Sequence, residues 1–65
     1  MNSDQFEGKW HELKGGVKAQ WGKLTNDDID RIEGNQEKLA GEIQSKYGKS
    51  KEEAKKEVND FIDSP

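Results

Sequence analysis

The apolar pattern predicts an all-α fold of four helices, and three observations carry that prediction. Phe6, Trp10, Leu13, Val17, Trp21 and Leu24 recur every three or four residues, the period of one helical face. Four helix-start signals divide the chain into segments of helical length. No segment alternates apolar and polar residues with period two, which a half-buried strand requires.

The first helix is expected over about residues 4–21, capped at its start by Ser3 or Asp4. Gly22 follows as the expected terminating residue, because glycine enters the left-handed conformation without a Cβ penalty. Thr25 is the next cap, and Asp27 and Asp28 after it favour the positive end of a helix dipole. The short second helix, about 26–33, presents Ile29 and Ile32. Gly34 and Asn35 break the chain again. The third helix, about 36–47, places Leu39, Ala40, Ile43 and Tyr47 on one side and ends at Gly48. Ser50 with Glu53 three residues later has the form of a capping box. The fourth helix, about 51–62, turns Ala54, Val58, Phe61 and Ile62 inward, with Pro65 beyond it. The predicted core is Phe6, Trp10, Leu13, Val17, Trp21, Ile29, Ile32, Leu39, Ile43, Tyr47, Val58 and Phe61. The predicted caps and breaks are Gly22, Thr25, Gly34, Gly48 and Ser50.

Sliding the chain along itself by 26 residues reveals a repeat. Glu7-Gly8 meets Glu33-Gly34, Leu13 meets Leu39, Gly15 meets Gly41, and Gly22-Lys23 meets Gly48-Lys49. Phe6 aligns with Ile32, Val17 with Ile43, and Trp21 with Tyr47. The pattern implies two αα-hairpins, about 4–33 and 36–62, packed across each other within a single domain spanning 1–65. Gly8, Gly15 and Gly22 stand seven apart, as do Gly34, Gly41 and Gly48. Each series lies along one helical stripe. A glycine inside a helix costs about 1 kcal/mol relative to alanine. Two roles for Gly8, Gly15 and Gly41 therefore compete, close approach of a crossing helix and local softness.

Composition bounds the rest. Of 65 residues, 38% are charged, yet the net charge is only −3, so both signs intersperse over a solvated surface. Three Leu, four Ile, two Val and two Phe fall below one fifth of the chain, and the mean hydropathy is −1.30. Composition alone would suit a disordered chain; the helical placement of the apolar residues argues for a fold. There is no cysteine, hence no disulfide or thiolate cage. No apolar run approaches the roughly 18 residues of a membrane span. Met1-Asn2-Ser3-Asp4-Gln5 lacks the regions of a signal peptide. These features predict a monomer in the cytoplasm.

The run Gly15-Gly16-Val17-Lys18-Ala19-Gln20-Trp21-Gly22-Lys23-Leu24-Thr25-Asn26-Asp27-Asp28 resembles the central motif of the CsbD-like family of bacterial general stress-response proteins. Glu33-Gly34, Leu39, Gly41, Ile43, Gln44 and Tyr47-Gly48 resemble its second half, so the likeness spans roughly residues 8–58. Gly16 and Asn35 depart from it, standing where the family often has lysine. The resemblance implies a small helical protein made abundantly under stress, with a fold like the SAM-domain group. The shared positions are structural and imply no active site.

No catalytic constellation is visible. Ser3, Ser45, Ser50 and Ser64 lack a histidine–carboxylate setting, and no thiol nucleophile exists. His11 stands four residues after Glu7, but zinc normally takes three or four protein ligands. Asp27, Asp28 and Asp30 cluster, and helix-start preference explains the first two. Neither Gly-x-Gly-x-x-Gly nor a phosphate-binding Gly-x4-Gly-Lys-Ser/Thr loop occurs. The expectation is a non-enzyme with no cofactor and no metal. Residues 26–42 hold six acids against Arg31 and Lys38, and a pI near 5.1 disfavours an unaided nucleic-acid binder. Trp10 and Trp21 lie in the apolar stripe and read as core. The first helix mixes charge signs on its polar face, unlike a membrane-surface helix. Two function classes remain: a hydrophilic stress protein that shields others, and a specific protein-interaction module.

Overall fold

A computed structural model describes residues 3–63, with side chains from Phe6 onward. The expected caps Ser3 and Asp4, and Pro65, lie outside the described side chains and residues. The described chain is all-helical, without strands, in the order α1 (Ser3–Gly8), α2 (Trp10–Gln20), α3 (Asn26–Ile32), α4 (Gln36–Tyr47) and α5 (Lys51–Asp63). The last three match the predicted second, third and fourth helices to within a residue. The predicted first helix is corrected to two. Lys9 leaves the helical conformation at φ −101° and ψ 6°, and α2 restarts from its carbonyl, which accepts from Glu12 and Leu13 N–H at 2.9 Å. The bend matches the interruption that the repeat places 26 residues later, where Asn35 begins α4.

Gly22 does not end α2 as expected. The helix stops one residue earlier than Trp21, which sits at φ −121° and ψ 80° with its N–H on the Val17 carbonyl. A tight turn follows, closed by Leu24 N–H on the Trp21 carbonyl at 3.0 Å. It carries both side chains inward, Trp21 at 2% and Leu24 at 1% exposure. The glycines that adopt positive φ are Gly34 at 80° and Gly48 at 65°. Glu33 precedes Gly34 in the left-handed region at φ 52°, so two successive residues turn the chain from α3 to α4.

The core joins all five helices: Phe6 from α1, Val17 from α2, Ile29 and Ile32 from α3, Leu39, Ala40 and Ile43 from α4, Ala54, Val58 and Ile62 from α5, with Trp21 and Leu24 between α2 and α3. Each large apolar side chain removed from water contributes about 1.5–3 kcal/mol before entropy is subtracted. Trp10, Leu13, Tyr47 and Phe61, expected inside, are only half-buried and pack against this cluster. The Phe61 ring of α5 lies 5.2 Å from that of Trp21, and it covers Gly16, where an added Cβ would come within 3.2 Å of the ring.

The competing roles of the glycines resolve by position. At Gly8, Gly15, Gly22 and Gly41 an added Cβ would meet nothing within 4 Å, so close helix packing is not their role. Gly34 is buried, and a Cβ there would stand 3.0 Å from the Glu7 Cα and 3.0 Å from the Trp10 Cβ. The turn between α3 and α4 thus presses into the corner between α1 and α2, and only a residue without a side chain fits.

Two stability outcomes follow. Trp21→Ala should cost ~3–5 kcal/mol by deleting a buried aromatic, leaving the domain largely unfolded at 25 °C; an unchanged circular-dichroism melt would refute its place in the core. Gly15→Ala, in an exposed helix interior, should raise stability by up to ~1 kcal/mol, whereas Gly34→Ala should lower it. Equal melting shifts for the two glycine variants would contradict the packing at Gly34.

Candidate functional site

The polar side chains organise the helix starts. Thr25 and Asp28 form a reciprocal capping box: Asp28 N–H donates to Thr25 Oγ1 at 3.1 Å, and Thr25 N–H donates to Asp28 Oδ2 at 2.9 Å. Ser50 and Glu53 repeat the arrangement at α5, with both bonds at 3.2 Å. Asn35, expected only as a break, is a cap, its Oδ1 accepting from Lys38 N–H at 3.0 Å. These bonds satisfy backbone N–H groups that have no partner inside their helix.

Asp28 does more than cap. It is 1% exposed, ion-paired to Arg31 of its own helix and to Lys46 of α4 with Nζ 3.0 Å from Oδ2. Arg31 also reaches Glu42 of α4 at 3.4 Å. The Thr25 N–H, with Lys46 adding to it, holds the Asp28 carboxyl well below its ordinary value, at about 2. A Thr-x-x-Asp spacing announces such a box in sequence; the partnership with Lys46, 18 residues away, has no local signal. Asp27 and Asp30 stay exposed.

A second link joins α2 to α5. The Trp21 indole Nε1–H donates to Glu57 Oε1 at 3.1 Å, and Lys49 pairs with the other oxygen of the same carboxylate. The Lys49 ammonium, and then the indole, hold Glu57 below the usual carboxylate range, while Lys49 is raised by the same contact. Lys23 places its ammonium 5.0 Å from the Tyr47 ring centre, and its backbone N–H donates to the Tyr47 hydroxyl at 3.1 Å. The matched lysines of the repeat thus each reach the aromatic of the other copy, Lys23 directly and Lys49 through Glu57.

Glu7 and His11 fall on different helices, either side of the bend at Lys9. Among the described residues no group of three His, Cys, Asp or Glu could hold a metal ion. No helix there is long and apolar enough to cross a membrane. A groove of about 240 Å³ runs between α4 and α5, lined by Gln36, Glu37, Ala40, Lys55, Val58 and Asn59. It offers amides, opposite charges and an apolar floor.

Caps, cross-helix ion pairs and a small core define a miniature all-helical protein. The CsbD-like family model matches residues 4–56, and the chain belongs to the CsbD-like family. It is 56% identical to a UPF0337 protein of Bordetella pertussis over 63 residues, covering 97% of this chain and 96% of the relative. It is 51% identical to one of Pseudomonas aeruginosa, over 97% of each chain. UPF0337 protein YjbJ of Escherichia coli is 52% identical over 94% of this chain and 88% of its own. No solved structure matches.

The depressed Asp28 carboxyl sets a pH dependence. A group whose pKa is lower folded than unfolded adds stability above its unfolded value and loses it as pH falls through the folded one. The contribution of Asp28 should therefore be complete above about pH 4 and disappear toward the folded value of about 2. In urea titrations the midpoint difference between the natural chain and Asp28→Asn should shrink across that interval. Parallel curves from pH 6 to 2 would show that the carboxylate is not held as described.

Proposed function

We propose that the chain is a non-enzymatic protective or accessory factor of the bacterial stress response, acting through an abundant, hydrophilic, easily opened fold. The observation that carries this reading is the use of the polar side chains. Among the described residues the one buried acidic residue, Asp28, is occupied by a cap and ion pairs, and no buried side-chain N or O lacks a partner. An unsatisfied buried polar group is one mark of a catalytic or redox role. The family's name supplies the association with stress. Two hairpins crossing each other belong to the same proposal, supported by the repeat and by the cross-copy contacts of Lys23 and Lys49.

Exposed glycines at 8, 15 and 41 weaken helices that already rest on a small core, so local opening is expected to be easy. Opened helices would present Trp10, Leu13 and their neighbours to damaged clients, while interspersed charge keeps the complex in solution. The second reading, a module with one specific partner, is favoured by the groove between α4 and α5.

Amide hydrogen exchange and cross-linking in stressed cells separate the two. The protective reading expects exchange in the helices within minutes at neutral pH, suppressed aggregation of unrelated unfolded proteins, and many weak cross-linked partners. Protection lasting days together with a single high-affinity partner would overturn it in favour of the module.

A further inference from the structure

The apolar spacing of Phe6, Trp10, Leu13 and Val17 runs through position 9 as though residues 4–21 were one helix, yet the chain bends at Lys9. Gly8, a weak helix former, precedes the bend, but no side-chain cap fixes it. Lysine is a good helix former, and Lys9 makes no side-chain hydrogen bond to the first turn of α2. Asn35, its counterpart in the repeat, does cap the helix that follows it. The second bend is thus fixed by a cap of its own, and the first follows a glycine without one.

What holds the first bend is docking. Phe6 is fully buried in the common core and its ring lies 5.5 Å from that of Trp10. Gly34 receives the backbone of Glu7 and the root of Trp10. The six residues of α1 are too few to persist as a free helix, so once undocked α1 stays helical only as an extension of α2.

We propose that α1 is an exchangeable arm. The bend at Lys9 opens, α1 and α2 join into one continuous helix, and the Phe6 of each of two copies enters the site emptied in the other. The product is a domain-swapped dimer. The acceptor fits the arm because it is the arm's own site, which makes such exchange a low-cost route to a dimer. Straightening restores the i→i−4 backbone bonds interrupted at Lys9. The connection is one residue long, and short hinges favour exchange between copies. By mass action the monomer prevails when the chain is dilute and the dimer grows with concentration.

Sedimentation equilibrium on the full chain over a concentration series tests this, with circular dichroism to establish that each variant is folded. Gly8→Ala combined with Lys9→Ala favours the continuous helix, and the alanine at 8 meets nothing within 4 Å in the docked state. It should tighten dimerisation severalfold. Lys9→Asn supplies the missing cap and should weaken dimerisation roughly tenfold. Phe6→Ala in the double-alanine background should remove the dimer. No dimer in the double-alanine variant at its highest soluble concentration would overturn the proposal. So would a dimer whose strength is the same, or ordered oppositely, in the alanine and asparagine variants.

Discussion

The fold depends on where the Trp21 ring is held. As the residue that closes α2, Trp21 reverses the chain through its own carbonyl, which receives Leu24 N–H. The same residue lays its ring against Phe61 and its indole N–H on Glu57. One residue therefore sets the end of α2, the entry to α3 and the seat of α5. Lys49, just ahead of α5, closes the arrangement by pairing with Glu57. A chain with so few large apolar residues has little redundancy, and each aromatic must serve more than one contact.

The second organising element is electrostatic. Asp28 brings a charge inside the protein, a placement that is costly unless every oxygen is satisfied. Here the Thr25 N–H, Arg31 and Lys46 meet it together. Because Lys46 belongs to α4, the carboxylate that starts α3 also fixes the angle at which α4 returns along it. The tight turn at Glu33 and Gly34 makes that return short, and the ion pair holds it in register.

Much of this was legible in the sequence. Helical periodicity located α3, α4 and α5, and capping chemistry marked Thr25, Gly48 and Ser50. The bend at Lys9 escaped because the apolar spacing continues across it; Gly8 just before it, and the repeat, which aligns Lys9 with Asn35, are the hints. The Gly22 expectation failed because the helix ends through a turn centred on Trp21 rather than through a left-handed glycine. Trp10, Leu13, Tyr47 and Phe61 share the apolar spacing but are only half-buried, a distinction that periodicity does not encode. The partners of Asp28 and Trp21 lie 18 and 36 residues away in the chain, and no local pattern could name them.

The two tryptophans stand at two different joints of the molecule. Trp10 lies over the Gly34 corner where α1 docks, and Trp21 is clamped between α2 and α5 beside the Glu57 carboxylate. Their indoles are intrinsic optical labels, one for each joint. Replacing either by phenylalanine leaves a chain whose ultraviolet emission reports the other joint alone. Separation of α1 and separation of α5 can then be timed independently in a stopped-flow instrument, without attaching a dye to a protein that has no cysteine to carry one.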